Sequence, residues 1–242
     1  MDQSDASERR LVIVEGIVGS GKSTTTRFIA TSLEKANRRA RPIPEATMPH
    51  PTRAFGELAH PYQPWLDVTP AELADQSLSK WRSFVDSACA LDTVSVLDGQ
   101  LFHGDLTNLF LMEAGRAAIA EYSRAVEEII HPLNPLLIYL YQEDVERALR
   151  AIAAQRDDAW VKYQIDWKLQ APYSRRRGLG GLKGLIALYK DYQELTDELY
   201  AGLDLAKLAI ENSQQDWPLY NQRISLELAV GVPSGLNENE IR

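Results

Sequence analysis

The chain has 242 residues, a net charge of −8 and 45% hydrophobic residues, which is enough apolar content to bury one sizeable core. The acidic balance argues against binding to nucleic-acid polymers or membranes, which attract basic surfaces, although a local pocket can still be basic. The single cysteine, Cys89, excludes an intrachain disulfide and a cysteine-based zinc cluster, and we expect it to be a buried apolar residue. Neither a signal peptide nor a membrane-spanning apolar run is recognisable, so a cytoplasmic protein is expected.

Short apolar runs alternate with longer helical patterns, and this alternation predicts a parallel β-sheet with helices on both faces. The predicted strands are 11–15, 40–45, 93–98, 136–142 and 205–211. Two prolines in the second run suit only an edge strand or a short extended segment, because proline cannot donate to a sheet. We expect one domain over residues 1–242, with frayed ends at 1–9 and 233–242.

Start signals for helices lie between the strands. Thr69, Pro70 and Glu72 form a capping pattern that predicts a helix from there to about residue 91. Asp105 predicts the start of a helix that continues to about residue 131. The other predicted helices begin at about Lys22 or cover 144–156, 182–203 and 217–230.

A glycine-rich motif follows the first predicted strand. Residues 16–23 read GIVGSGKS and fit the pattern G-x-x-x-x-G-K-[ST] between a strand and a helix. Such glycines let the backbone wrap around a polyphosphate, while Lys22 reaches the β- and γ-phosphates and the Ser23 hydroxyl binds Mg²⁺. The alternative is a strand-to-helix turn without a ligand. We expect ATP and Mg²⁺ to bind here, and the predicted nucleotide-binding residues are Gly16, Gly19, Ser20, Gly21, Lys22, Ser23 and Thr24.

Several classes of nucleotide-binding protein share this loop, and other motifs narrow the choice. The guanine signature N-K-x-D is missing, which argues against a GTPase, and L-S-G-G-Q is missing, which argues against a transporter ATPase. The chain is also short for a motor. Among the classes that share this loop, the small-molecule kinases remain.

The stretch EGIVGSGKST, residues 15–24, resembles the loop E-G-x-x-G-[AS]-G-K-S-T of thymidylate kinases and deoxynucleoside kinases. Segments 136–156 and 212–224 are similar to the fourth strand and following helix of these families and to their closing strand-to-helix segment. The resemblance covers about residues 12–228. It implies a three-layer P-loop fold for nucleoside triphosphates, a five-stranded sheet in the order 2-3-1-4-5, and phosphoryl transfer from ATP to a nucleoside or nucleotide.

Two acidic residues match the same families, each with a departure. Glu45 lies where they carry a glutamate before proline, but Ala46 follows here. Asp98 lies where they carry an acidic residue before arginine, but Gly99 follows here, so another arginine fills that role or the acceptor differs. A carboxylate at the end of a parallel strand points into the ligand crevice, so Asp98 can hold Mg²⁺ or order the acceptor. The alternative for Asp98 is a turn cap.

Glu45 can act as general base if the acceptor is a hydroxyl, and it is not needed if the acceptor is already an ionised phosphate. The alternative for Glu45 is a solvated residue in a loop. Arginines form the other catalytic set: Arg150 and Arg156 on the helix after the fourth strand, and Arg176 in the glycine-flanked triplet 175–177. We expect residues 157–181 to be a lid that closes over the γ-phosphate, being open or disordered without ligand. The alternative for the triplet is a solvated charge run.

An acceptor pocket is expected from residues around the third predicted strand. Gln100 and His103 are candidates because they directly follow Asp98, although a buried or capping His103 is an equal alternative. Trp81 and Phe84 are expected to be core residues rather than pocket residues. Other candidates for stacking on a flat ring or meeting a polar group are Tyr62, Trp65 and Arg82.

The predicted partner is a small-molecule acceptor. No nucleic-acid polymer or membrane is expected, and a homodimer is left open. The alternative function is a nucleotide-dependent switch that binds ATP without phosphorylating an acceptor.

Overall fold

The structure, a computed structural model, describes residues 9–230. The fraying expected at residues 1–8 and 233–242 lies outside the described residues. Arg9, also predicted to be frayed, is instead buried, and its Nη1 donates to the carbonyl oxygen of Glu227 at 2.9 Å. The prediction of fraying is therefore wrong at Arg9, because a contact with the C-terminal helix holds it.

Five parallel strands form one sheet in the order β2-β3-β1-β4-β5, which confirms the predicted order. Val14 lies opposite Asp98, and Gly16 lies opposite Leu140, so the carboxyl ends of the central strands lie together at one end of the sheet. The second strand lies at the sheet's edge, as its prolines predict, but ends two residues before Glu45. The strands are β1 Leu11–Gly16, β2 Ala40–Ile43, β3 Val94–Asp98, β4 Pro135–Tyr141 and β5 Ala206–Glu211.

Helices cover both faces of this sheet. Val12 and Val14 point to one face, where they pack against α1 (Lys22–Lys35) and α9 (Trp217–Glu227). Leu11 and Ile13 point to the opposite face and belong to the larger core. This alternation follows from the two-residue repeat of a strand. The helices that contribute to the larger core are α2 Pro70–Cys89, α3 Asp105–Leu111, α4 Arg116–Ile130, α5 Val145–Gln155, α6 Asp158–Lys168, α7 Pro172–Arg176 and α8 Gly181–Gly202.

Helix α2 confirms one local prediction and overturns another. The Thr69 side chain accepts from the backbone of Glu72 and the Glu72 side chain accepts from the backbone of Thr69, which completes the capping box. Trp81 and Phe84 belong to the buried stripe of this helix, as expected. Cys89 is exposed, so the prediction of a buried cysteine is wrong, because it lies beside that stripe at the end of the helix.

The long helix predicted from Asp105 to about residue 131 is two helices. Helix α3 ends at Leu111, and Glu113 and Gly115 then adopt positive φ angles of 59° and 84°. Left-handed residues cannot continue a right-handed helix, so the chain turns before α4 begins. None of the helices within residues 9–230 combines the length and the apolar character needed to cross a membrane.

The segment 157–181 is mostly helical, whereas an open or disordered lid was predicted. Asp157 caps α6 by accepting from the backbone of Trp160, and Pro172 occupies the first turn of α7. Arg175 and Arg176 therefore lie on a short helix rather than in an irregular loop. Closure of this segment on a ligand stays a prediction.

Candidate active site

The glycine-rich loop between β1 and α1 is held by three distant parts of the chain. A Cβ on Gly16 would collide with the carbonyl oxygen of Leu140, and one on Gly21 would collide with the ring of Trp217. The Asn212 amide donates to the carbonyl oxygen of Ser20. Glycine is required at the two close approaches, because any side chain there would collide. The contacts with β4, the chain after β5 and α9 hold the loop in place.

The N-terminus of α1 faces the space above this loop. Gly21 is the N-cap and provides no side-chain hydrogen bond, and the first bond of the helix runs from the Thr25 N–H to the Gly21 carbonyl. The N–H groups of Lys22, Ser23 and Thr24 precede that bond, so they have no partner inside the helix. Lys22 Nζ is buried, and donates to the carbonyl oxygens of Gly16 at 2.9 Å and Ile17 at 3.2 Å. This end of the helix can bind an anion.

The two predicted magnesium ligands lie next to each other. Ser23 Oγ donates to Asp98 Oδ2 at 2.6 Å, and Asp98 is only 3% exposed. Burial raises the pKa of the Asp98 carboxyl, and the hydrogen bond from Ser23 and the charge of Lys22 oppose that rise. The other carboxylate oxygen, Oδ1, is buried and has no hydrogen-bond partner in the described part of the chain.

These oxygens fit Mg²⁺, which prefers hard oxygen ligands and is usually bound by one or two carboxylates together with substrate phosphates and water. Residues 9–230 contain no group of three or more His, Cys, Asp or Glu side chains that could enclose a metal by themselves. A cation at Ser23 and Asp98 would therefore need further ligands from a substrate.

Glu15 organises the chain that follows β3. Its carboxylate is fully buried, and Oε1 accepts from the backbone N–H groups of Leu101 at 2.7 Å and Phe102 at 2.9 Å. Oε2 lies 3.0 Å from Nδ1 of His103. Gly99 has a φ of +77°, a conformation that suits glycine and would strain an arginine. The departure from the families' arginine thus agrees with the local backbone.

A cavity of about 480 Å³ opens beside the loop. Its lining contains more basic than acidic groups, although the whole chain is acidic. The basic residues are Lys22, Arg27, Arg53, His103, Arg156 and Lys168, and the acidic one is Glu45. The aromatic residues are Phe55, Phe110, Trp167, Tyr189 and Tyr192. Such a lining suits an anionic ligand that also has a flat apolar part.

Glu45 lies at this cavity, on the irregular chain after β2. It is solvent-accessible, yet protein surrounds it on several sides. Burial tends to raise the pKa of its carboxyl, but the charges of His103, Lys22, Arg53 and Lys168 outweigh that effect and lower it. Glu45 is therefore a carboxylate at neutral pH, able to accept a hydrogen bond from a hydroxyl.

The fold adds two cations that sequence reasoning missed. Arg53 Nη2 donates to the carbonyl oxygen of Glu45 at 2.8 Å and lies in a segment without helical or strand periodicity. Lys168 is buried at the end of α6, with Nζ 3.8 Å from the ring centroid of Trp167 and no carboxylate within ion-pair distance among the described residues. Burial lowers the pKa of Lys168 to about 8. The only sequence signal for Lys168 was its place in the expected lid.

The structure places the three predicted arginines in different surroundings. Arg156 lines the cavity, and its guanidinium lies 5.9 Å from the Trp160 ring centroid. Arg150 pairs with Glu146 at 2.8 Å on the exposed surface, and the exposed Arg176 pairs with the partly buried Glu113 at 2.9 Å. In the described conformation neither lines the cavity, and segment 157–181 contributes Gln164, Trp167 and Lys168 instead.

The residues expected to form the acceptor pocket also lie in different places. Tyr62 is 54% exposed and packs edge-to-face on Trp167 with ring centroids 5.5 Å apart, at a second opening that shares Glu45 and Arg53 with the cavity. Trp65 packs against the core, and Arg82 is exposed on α2. Gln100 is buried and accepts from Arg53 Nε at 3.3 Å. Of the two candidates that follow Asp98, His103 lines the cavity and Gln100 does not.

Gly19 also borders another cavity, of about 380 Å³, on the far side of the loop. The chain after β4 and the chain after β5 line it, including Gln142, Asp144, Arg147 and Ser213. The glycine-rich loop therefore lies between two cavities. A ligand that reached across the loop would place one part in each.

No protein-family model matches this chain, and a search of the curated proteins finds no match either.

Proposed function

We propose that this protein is a P-loop kinase that transfers the γ-phosphoryl group of ATP to a small acceptor, with a nucleoside or nucleotide as the leading candidate. The observation that carries the proposal is the 2.6 Å hydrogen bond between Ser23 and Asp98, beside Lys22 and the N-terminus of α1. This arrangement supplies oxygen ligands, a cation and unpaired N–H groups at one place, which is what a triphosphate with its magnesium ion requires. The resemblance to thymidylate and deoxynucleoside kinases supports the same assignment.

Each part of the nucleotide has a place in this proposal. The phosphates lie along the glycine-rich loop, where backbone N–H groups and Lys22 neutralise their charge. Ser23 and Asp98 would hold Mg²⁺, which neutralises charge on the β- and γ-phosphate oxygens when bound. The nucleoside part of ATP lies beyond Gly19, in the cavity of about 380 Å³.

The acceptor lies in the cavity of about 480 Å³, between the aromatic residues and the basic ones. An acceptor oxygen forms a bond to the γ-phosphorus while the bond from that phosphorus to the β–γ bridging oxygen breaks. The electron pair of the broken bond leaves with ADP, and a hydroxyl acceptor gives its proton to the Glu45 carboxylate. Arg156 and Lys168 supply positive charge around the group in transfer.

A second candidate function is a nucleotide-dependent switch, favoured by the absence of any side chain at Gly99 beside the site. In a switch, ATP binding would change conformation without an acceptor. The cavity beside Glu45 favours the kinase, because a switch has no use for an acceptor-sized space there.

Acceptor-stimulated release of ADP tests the proposal. The purified protein is given Mg·ATP and a panel of nucleosides, nucleotides and other hydroxyl metabolites, and the phosphorylated product is identified by mass spectrometry. We expect one chemical class to stimulate ADP release and to gain one phosphoryl group. ATP binding without stimulation by any acceptor would favour the switch, and failure to bind Mg·ATP would exclude both functions.

A further inference from the structure

A buried carboxylate and a partly exposed imidazole form a pair beside the proposed phosphate site. Glu15 is at the end of β1, and His103 follows β3, 88 positions later in the chain. Glu15 Oε2 lies 3.0 Å from His103 Nδ1, and the same carboxylate accepts two backbone N–H groups through Oε1. The imidazole is therefore held in one orientation by a group that is itself fixed.

The imidazole fills the space above Gly99. A Cβ built on Gly99 would lie 3.2 Å from His103 Cβ and 3.9 Å from Lys22 Cε. The Gly99 N–H donates to the carbonyl oxygen of Val14 at 2.8 Å, so the backbone there is held against β1. His103 and Lys22 thus share the space that a side chain at position 99 would otherwise enter.

One nitrogen of the ring remains available. Nδ1 is engaged by Glu15, while Nε2 makes no hydrogen bond within residues 9–230, and the side chain lines the cavity. Charged groups face the ring from four elements: Glu15 from β1, Lys22 from α1, Glu45 after β2 and Asp98 at the end of β3. In the imidazolium form both ring nitrogens carry hydrogen, so Nδ1–H donates to Glu15 and Nε2–H can donate to an anion beside Lys22.

We propose that His103, oriented by Glu15, binds an oxygen of the terminal phosphoryl group of a nucleoside triphosphate through Nε2–H. This inference rests on the proposed function and adds a residue to it. The competing explanation is structural: the imidazole only satisfies the buried carboxylate and has no contact with a ligand.

The two explanations predict different affinities of a His103 variant for a nucleoside triphosphate and for a nucleoside diphosphate. The experiment measures dissociation constants for Mg·AMP-PNP, a non-hydrolysable ATP analogue, and for Mg·ADP by calorimetry. The variant His103→Asn keeps an amide N–H that can reach Glu15 but has no donor at the position of Nε2. We expect it to bind Mg·AMP-PNP about tenfold more weakly than the wild type and Mg·ADP equally well, since a charge-assisted hydrogen bond is lost from one ligand alone. His131→Asn is the matched control, an exposed histidine at the end of α4, and it should leave both constants unchanged.

A second variant covers the possibility that His103→Asn does not fold. The longer amide in His103→Gln can place an uncharged donor near the position of Nε2, so its preference for Mg·AMP-PNP should fall below that of the wild type and stay above that of His103→Asn. An unchanged ratio of the two constants in both variants overturns the inference, because a purely structural residue weakens both ligands together or neither. If the wild-type protein binds neither nucleotide, the proposed function fails and the inference fails with it. Binding by the wild type with no change of ratio in the variants removes the inference alone.

Discussion

The hydroxyl of Ser23 donates to Oδ2 of Asp98 at 2.6 Å, although the two residues are 75 positions apart in the chain. Parallel pairing of β1 with β3 brings them together, because Val14 lies opposite Asp98 and the loop after β1 then passes over the end of β3. One residue of the pair belongs to the glycine-rich motif and the other does not. Their contact connects the nucleotide-binding loop to the edge of the sheet.

Asp98→Asn should reduce magnesium-dependent turnover at least about a hundredfold, because the amide cannot supply an anionic ligand or order the acceptor as a carboxylate does. The same variant should melt at or above the wild-type temperature at pH 7. Burial raises the pKa of the Asp98 carboxyl, so the ionised form is disfavoured in the folded protein, and a neutral amide removes that cost. Steady-state kinetics and thermal melts measure the two effects.

Asp86→Asn is the control for this substitution, since Asp86 is exposed on α2. It should change neither quantity. If Asp98→Asn instead melts early and keeps its specific activity, Asp98 is a turn cap beside Gly99 and the metal assignment is wrong.

Lys22→Ala should abolish ATP turnover while leaving the fold intact. Lys22 Nζ lies across the loop on two carbonyl oxygens and is the cation nearest the expected β- and γ-phosphates. Circular dichroism checks the fold and release of ADP measures turnover. Lys35→Ala, an exposed lysine in the last turn of the same helix, should behave as the wild type. Normal turnover by Lys22→Ala would remove the central claim.

Arg156→Ala should lower turnover at least about tenfold, whereas Arg150→Ala and Arg176→Ala should each lower it less than about twofold. Arg156 lines the cavity, while the exposed side chains of Arg150 and Arg176 pair with Glu146 and Glu113 outside its lining. The kinetic constants of the three variants make the comparison. A large loss for Arg176→Ala would mean that segment 157–181 moves enough on ligand binding to bring that side chain to the phosphates.

Lys168→Met should stabilise the protein at pH 7 and less so at pH 10. Burial lowers the pKa of Lys168 from 10.5 to about 8, so between these values the unfolded chain holds a proton that the folded chain has released. The stability of the wild type therefore rises with pH in this window, and below it the buried charge costs at most about 3 kcal/mol. Removing the charge should raise the melting temperature at pH 7 by several degrees.

Thermal melts of both proteins at the two pH values isolate this effect, since other groups titrate equally in each. Lys162→Met, at an exposed position of the same helix, should show no such pH-dependent gain. A gain for Lys168→Met that is the same at pH 7 and pH 10 would mean that packing, and not charge, is responsible.

Local patterns in the sequence determined the parts of the fold that depend on near neighbours. The apolar runs predicted all five strands, because a few successive apolar residues are enough to indicate a buried strand. The capping box at Thr69 and Glu72 predicted the start of α2. The motif around Lys22 predicted a loop between a strand and a helix, and the structure has one there. The strand order came from the family resemblance, since no local pattern states which strands pair.

Only the tertiary structure decided how distant residues meet and which of the candidate residues reach the cavity. Lys168 and Arg53 became cavity residues because α6 and the irregular chain after β2 fold over the sheet edge. The contact of Glu15 with His103 arose in the same way, when β1 paired with β3. Long-range contacts of this kind are products of the whole chain's packing, and for that reason no short window of sequence contains them.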